Sequence, residues 1–385
     1  MSRSGKRRFG LVGGGEGAFI GQVHRIAAEL DGEAELVCGC FSADPAKSIR
    51  SGTALYGLDG EHCYASFGEM FEAESRRPMQ QRMEFVVIAT PNHMHFPVAA
   101  AALGAGFHVV CDKPVCISAS EAERLVGLLR NSSLLFAVTY NYTGYPMVKE
   151  ARQLIESGEM GSIRRVNCEY LQGWLATPQD ADNKQAAWRT DPDRAGMAGC
   201  FGDIGSHAEN LIRYVSGLEI SEICADLSHF VPGRALDDDG NVLLRFEGGA
   251  RGVLAASQIA VGRENDLKIE IFGTRGSLSW QQSDANSLVL RWLDRPLEVR
   301  RTGYAGIGAI AQQAARIPPG HPEGYLEAFA NVYREFYRAL TGVQDADHPD
   351  LDDGLAGMYF IEAVVASSKA GGSWQSLSGI QHDRA

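Results

Sequence analysis

The chain has 385 residues, 45% hydrophobic and 22% charged, a globular composition with enough length for two domains and sizeable cores. A formal net charge of −12 argues against a nucleic-acid partner, which needs a basic face, and no apolar run reaches membrane-spanning length. Eight cysteines form no C-x-x-C pair and mostly lie in apolar, strand-like runs, which points to buried free thiols in a reducing cytoplasm rather than to disulfides or zinc.

Met1 to Arg7 reads as a short solvated tail. Lys6-Arg7-Arg8-Phe9 has the look of a twin-arginine export signal, but cleavage beyond it would destroy the element that follows. Phe9-Gly-Leu-Val12 is an apolar run suited to a buried strand. A glycine cluster comes next (Gly13, Gly14, Gly15, Gly17, Gly21), then Gln22 to Leu30 with Val23, Ile26, Ala27 and Leu30 at helical spacing. Strand, glycine turn and helix open a dinucleotide-binding unit, because glycine lets backbone approach a pyrophosphate and the helix start offers N–H groups. Gly13-x-Gly15-x-x-Ala18 fits the G-x-G-x-x-G/A pattern; alternatively Gly21 is the third glycine and the loop is longer. Alone, the cluster is also what a tight strand-to-helix turn requires.

A second strand, Ala34 to Ser42, follows at the distance of a βαβ unit. Its end offers Ser42, with Asp44, Lys47 and Arg50 beyond. An acid there favours the ribose hydroxyl of NAD and a basic residue the phosphate of NADP; Asp44 tilts the reading to NAD, with NADP still open. Asp44-Pro45 starts a helix towards Tyr56, and Ser66 to Glu72 is another. Phe85 to Ala89 is a buried strand ending in Thr90-Pro91-Asn92-His93-Met94-His95. Phe96 to Leu103 is helical, and His108 to Cys111 is a strand ending in Asp112-Lys113-Pro114. Ser118 to Leu129 is a helix with a Ser118-x-x-Glu121 capping box. Leu134 to Thr139 is a strand ending in Tyr140-Asn141-Tyr142. This alternation predicts a doubly wound parallel sheet, with ligands at the carboxyl ends of its strands.

From about Tyr145 the pattern changes. A helix (Met147 to Ser157) leads into strand-like runs at 163–171, 220–230, 242–246, 252–260, 267–273, 277–280 and 287–293. Glu247-Gly-Gly-Ala250 and Gly273-Thr-Arg-Gly276 are turn signals between neighbours, so a second, α+β domain with a large, mostly antiparallel sheet is expected. The division falls at residues 1–143 and 144–385. Ala305 to Pro319 reads as a loop, and helices at Gly324 to Leu340 and Leu351 to Ser368 close the chain; the last of them can pack back on the first domain.

Lys113, held between Asp112 and a proline at a strand end, is placed to meet a ribose and a substrate hydroxyl. Asp203 and His207, in Gly202-Asp-Ile-Gly-Ser-His207, are four apart and share a helix face, so the carboxylate can serve a histidine base. A capping aspartate and a packed histidine would give the same spacing. His93-Met-His95 has H-x-H metal spacing but lacks a carboxylate cluster, so no metal is expected.

Taken together, these stretches resemble the glucose–fructose oxidoreductase, inositol dehydrogenase and MocA (Gfo/Idh/MocA) family over nearly the whole chain. The matching motifs are the glycine loop with His24, Ala89 to His95, Cys111-Asp-Lys-Pro-Val115, Gly202 to His207, and Asp353 to Glu362. The family's usual Glu-Lys-Pro is Asp112-Lys113-Pro114 here. The resemblance implies a Rossmann-type first domain binding a nicotinamide dinucleotide and a second domain meeting a sugar, cyclic polyol or related carbohydrate. Gly13, Gly15, Gly17, Ala18, Phe19, Ile20, Ser42, Thr90, Pro91, Asn92, His95, Asp112 and Lys113 are then expected to bind the cofactor, and Lys113, Asp203 and His207 to be catalytic. Asn141, Arg189, Asp203, His207 and His321 are expected around the substrate. The open face of the second sheet is expected to form homodimers or homotetramers.

The expected reaction is reversible oxidation of a secondary hydroxyl to a ketone: His207 takes the proton, Lys113 stabilises the alkoxide, and Asp203 orients His207 or a substrate hydroxyl. Two alternatives share these residues: an NAD-dependent glycoside hydrolase working through transient sugar oxidation, and a non-catalytic dinucleotide sensor.

Overall fold

The apolar run after the basic N-terminal residues becomes an interior strand of a parallel sheet. The computed structural model describes residues 5–178 and 183–377, in two compact units: Met1–Thr139 with Phe329–Leu355, and Tyr140–Ala328 with Ala356–Ala385. In the first unit β1 (Arg7–Gly13), α1 (Ile20–Glu29), β2 (Ala34–Cys40), α2 (Pro45–Tyr56), α3 (Phe67–Arg76), β3 (Phe85–Ala89), α4 (His95–Gly104), β4 (His108–Cys111), α5 (Ala119–Arg130) and β5 (Phe136–Val138) alternate. The sheet order is β2-β1-β3-β4-β5, every pair parallel, as expected. Phe85 to Ile88 are fully buried, the continuous apolar run of a strand covered on both faces. Residues 329–355 complete this unit: Phe336 packs edge-on against Phe85, and the Val138 amide donates to the Pro349 carbonyl.

Arg7 is not part of a tail. It opens β1 and pairs with Glu84 at 3.2 Å; residues 1–4 of the expected tail lie outside the described residues.

The second unit begins with a 3-10 turn, Asn141–Gly144, and α6 (Pro146–Glu156). It continues through β6 (Ile163–Leu171), α7 (Lys184–Arg189), α8 (Pro192–Ala195), a π-helical turn (Phe201–Gly205), α9 (Ser206–Ser216), β7 (Ile220–Ser228), β8 (Asp239–Phe246), β9 (Arg251–Ser257), β10 (Asp266–Gly273), β11 (Gly276–Gln281), β12 (Ser287–Trp292), β13 (Glu298–Arg301) and α10 (Ala309–Ala314). After α11 (Tyr325–Leu340) and α12 (Leu351–Lys369), β14 (Gln375–Ser376) ends the described chain. The nine strands run β13-β12-β11-β10-β6-β9-β8-β7-β14. Both expected turns join antiparallel neighbours; the pair β6–β9 is parallel. Alternation sorts the faces: Val166, Cys168 and Tyr170 of β6 and Leu267, Ile269 and Ile271 of β10 are buried, and α9 packs on that face. Charged Arg165, Glu169, Lys268 and Glu270 alternate with them. The expected loop at 305–319 contains α10, because Ala311 and Ala314 are buried and the helix packs on α6.

Candidate active site

The glycine loop sits where the strand order reverses, between β1 and β3, the position at which open α/β sheets bind ligands. Gly13 has φ +97°, and a Cβ there would lie 2.3 Å from the Ala89 carbonyl; a Cβ on Gly15 would lie 2.3 Å from the Phe41 carbonyl. These are cradle positions that only glycine fills. The structure also decides the third glycine. A Cβ on Gly21 would lie 2.3 Å from the Gly14 Cα, so Gly21, inside the first turn of α1, makes the close approach of the helix to the glycine loop after β1, and Ala18 sits in the longer loop before it. The Tyr56 hydroxyl donates to the Gly14 carbonyl at 2.6 Å.

Helix α1 starts at Ile20 after an exposed Phe19, with no side-chain cap and no acid in its first turn. Helices α2, α3 and α5 are capped by Asp44, Ser66 and Ser118. An uncapped helix start beside a glycine cradle fits a pyrophosphate, whose oxygens replace the missing cap. The Ser42 hydroxyl accepts from the Asp44 amide, and Asp44 caps α2 through the Lys47 amide.

At the ends of β3 and β4 the expected residues divide into two kinds. The Thr90 hydroxyl is buried without a hydrogen-bond partner, an orphan that a ligand can satisfy; Pro91 and buried Asn92 follow it in the turn. His95 is fully buried, with Nδ1 and Nε2 at 2.7 and 2.9 Å from the carbonyls of Pro114 and Thr90. Burial pulls its pKa down against Asp112 and these carbonyls. Its ring therefore ties the β3 end to the Lys113-Pro114 turn, where the peptide bond is cis.

Asp112 performs the same service for Lys113. Its Oδ1 accepts from the Lys113 amide and from the Thr139 hydroxyl, each at 2.9 Å. Its Oδ2 lies 3.9 Å from Nε2 of His24, whose Nδ1 is 2.7 Å from the Tyr333 hydroxyl. Burial alone would raise this carboxyl, but His24, Lys113 and His95 hold it well below the usual carboxylate range.

The second unit gathers Asp203 and His207 on the π-helical turn and the start of α9; π-turns often mark functional positions. Asp237 fixes the turn, its carboxylate accepting from the amides of Gly199 and Phe201 at 2.7 and 2.8 Å. Asp203 Oδ2 accepts from Arg189 Nε at 3.2 Å and from Gln258 Nε2 at 2.8 Å. Arg189 is itself held by Gln185 and lies over the Trp188 ring at 4.3 Å. The imidazole of His207, 8% exposed, is surrounded by Tyr140, Tyr142 and Tyr170 at centroid distances of 5.8, 4.9 and 6.2 Å. Burial pushes the Tyr142 phenol up to about 12, so it stays protonated in a network with Tyr170 and Asn265. The turn bearing Asn141 packs on α9, and its Nδ2 is buried without a partner.

Asn141, Arg189, Asp203 and His207 thus belong to one neighbourhood. His321 does not share it directly: it is exposed, Nδ1 is 3.1 Å from the Pro318 carbonyl, and it lines a cavity that His207 does not line. Gln258, Tyr170, Asn265 and Asp237 were not expected from sequence. The run Asp237-Asp238-Asp239 was the one visible signal, since buried acids demand partners. All eight cysteines are unpaired. Among the described residues, no cluster of His, Cys, Asp and Glu could hold a metal ion, and no helix is long and apolar enough to cross a membrane.

A glycine cradle and uncapped helix at the switch point of a parallel sheet, followed in the chain by an α+β unit carrying a His/Asp neighbourhood, define a dinucleotide-binding oxidoreductase of two compact units. Residues 7–140 match the oxidoreductase family with the NAD-binding Rossmann fold, and residues 148–279 match the GFO/IDH/MocA C-terminal domain. An inositol dehydrogenase homologue from Azotobacter vinelandii, solved with NAD+, is 34% identical with a TM-score of 0.93, covering 97% of this chain and 98% of that one. Levoglucosan dehydrogenase of Pseudarthrobacter phenanthrenivorans is 30% identical, with 96% of this chain and 98% of that protein covered. The oxidoreductase YfiI of Bacillus subtilis is 33% identical, with 95% and 96% covered. The chain belongs to the Gfo/Idh/MocA oxidoreductase family; it is an enzyme, and its cofactor is NAD.

Proposed function

We propose that this enzyme reversibly oxidises a secondary hydroxyl of a sugar, cyclic polyol or glycoside to a ketone. The observation that carries the reading is the setting of His207: an imidazole among Tyr140, Tyr142 and Tyr170, beside an Asp203 held by Arg189 and Gln258. Aromatic faces, neutral amides and a fixed carboxylate suit a polyhydroxylated ring. The relatives named inositol dehydrogenase homologue and levoglucosan dehydrogenase act on such compounds by name.

In this reading His207 accepts the hydroxyl proton, Lys113 stabilises the developing alkoxide, and Asp203 holds a substrate hydroxyl or orients His207. Asn141 offers its buried amide donor to the substrate. Gly13, Gly15, Gly17, Ala18, Phe19 and Ile20 hold the pyrophosphate, Ser42 the adenosine ribose, and Thr90, Pro91 and Asn92 the nicotinamide side; His95 and Asp112 fix the turn that presents Lys113. When bound, NAD accepts the hydride; the chain's part is to orient the donor and move the proton.

Turnover with inositols, hexoses and glycosides tests this. NADH formed in step with ketone supports it, glycoside cleavage without net NADH favours the hydrolytic alternative, and cofactor binding without any turnover favours a sensor. We further infer a homodimer or homotetramer through the outward sheet face, where Leu243, Phe272 and Val299 are exposed; light scattering of the purified protein checks it. The free thiols support a cytoplasmic location.

A further inference from the structure

A polar cavity lies within the C-terminal unit. It has a volume of about 400 Å³, within the range of small-molecule sites, and Tyr145, Tyr325, Asp284, Thr302, His321 and Glu323 are among the residues that line it. Thr302 is 6% exposed, and its hydroxyl has no hydrogen-bond partner. Glu323 is 3% exposed; Oε1 accepts from the amides of Arg316 and Ile317, while Oε2 has no hydrogen-bond partner and only the Arg316 guanidinium at 3.9 Å. Gln282, also in the lining, has a buried Oε1 without a partner.

Buried polar atoms left without partners are costly, so they mark where a ligand restores hydrogen bonds. Glu323 and Gln282 want donors, and Thr302 accepts or donates. Asp284 and Glu323 share the lining with Arg301, so its charges are mixed and select neither an anion nor a cation. The chemistry that meets all of this is a neutral polyhydroxylated ring.

The cavity is also tied to the His207 neighbourhood. Tyr145 stacks on Tyr142 at 6.1 Å, and Tyr142 lies 4.9 Å from His207. The Gln282 side chain hydrogen-bonds the Tyr142 hydroxyl. Two tyrosines, Tyr142 and Tyr145, therefore link the proposed proton acceptor to the cavity wall.

We propose that this cavity is a second carbohydrate subsite, taking the distal ring of a two-ring substrate whose reacting ring is held at His207. The proposal rests on the carbohydrate-dehydrogenase reading above and specifies its substrate class as a disaccharide or a glycoside with a cyclic aglycone.

The test is the ratio of kcat/KM for cellobiose and maltose to that for glucose and methyl glucoside, measured with NAD+ in wild type and in Thr302→Val. The valine keeps the volume and removes an unpartnered buried hydroxyl, so a purely structural Thr302 predicts equal or higher Tm and an unchanged ratio. A subsite predicts a wild-type preference for a two-ring compound and a fall in that ratio of about tenfold in the variant, through KM. Oxidation of one-ring compounds without that preference, or an unchanged ratio in the variant, overturns the subsite alone. Absence of NADH formation with all four, and with myo-inositol, overturns the carbohydrate reading beneath it.

Discussion

The cradle of the first unit is made of backbone, and the His207 neighbourhood of the second is made of side chains. Gly13, Gly15 and Gly21 act by lacking a Cβ, and α1 acts by leaving its first amides uncapped. Asp203, by contrast, owes its position to Arg189 and Gln258, and its turn to Asp237. A backbone site binds a group that many enzymes share. A side-chain site can change its ligand by single substitutions while the fold stays constant. Cofactor binding and substrate choice should therefore fail separately.

The largest separation is expected at His207. His207→Ala should lower kcat by about 10²–10⁴ while NAD affinity, read by fluorescence titration, stays near wild type. Wild-type turnover would remove His207 from the chemistry. Lys113→Ala should damage both turnover and NAD binding, and intact values for both would count against its role between them.

The converse break is in the backbone. Gly21→Ala brings a Cβ to 2.3 Å from the Gly14 Cα. It should destabilise by about 1–3 kcal/mol through overpacking and weaken NAD binding, both measurable by thermal shift with and without cofactor. If Tm and its shift with NAD are unchanged, the close approach of α1 to the glycine loop is unimportant.

Asp112 sharpens the contrast through pH. Its carboxyl is held below the normal range in the folded protein. The resulting stabilisation is full above the unfolded value of about 4 and is lost as pH falls below it towards the folded value. Asp112→Asn should be less stable than wild type at neutral pH, and the two Tm curves should draw together progressively as pH falls below about 4, the unfolded value. Parallel curves would show that Asp112 carries no such linkage. The smallest effect is expected at the cap of α2: Asp44→Ala should cost about 1 kcal/mol of stability, with little change in kcat.

The contrast also explains which features could be read along the chain. The parallel sheet follows from alternating apolar runs and helices, because a strand covered on both faces must be apolar throughout. The glycine turn is equally local, since φ above zero and a missing Cβ belong to one residue. Lys113, Asp203 and His207 stand out as short motifs at the ends of elements. Packing, however, chose Gly21 over Ala18, because the approach of α1 to the glycine loop depends on both segments at once. The same holds for Gln258, which reaches Asp203 from 55 residues away, and for Tyr170 and Asn265, which join Tyr142 only when β6 and β10 pair. His321 shows the reverse: its motif of polar and aromatic residues resembled a site, yet folding places it at a cavity that His207 does not line, with Tyr145 and Tyr142 between them. Local conformation and burial pattern are encoded residue by residue, whereas hydrogen-bond partnerships between distant strands exist only once the sheet has set their register.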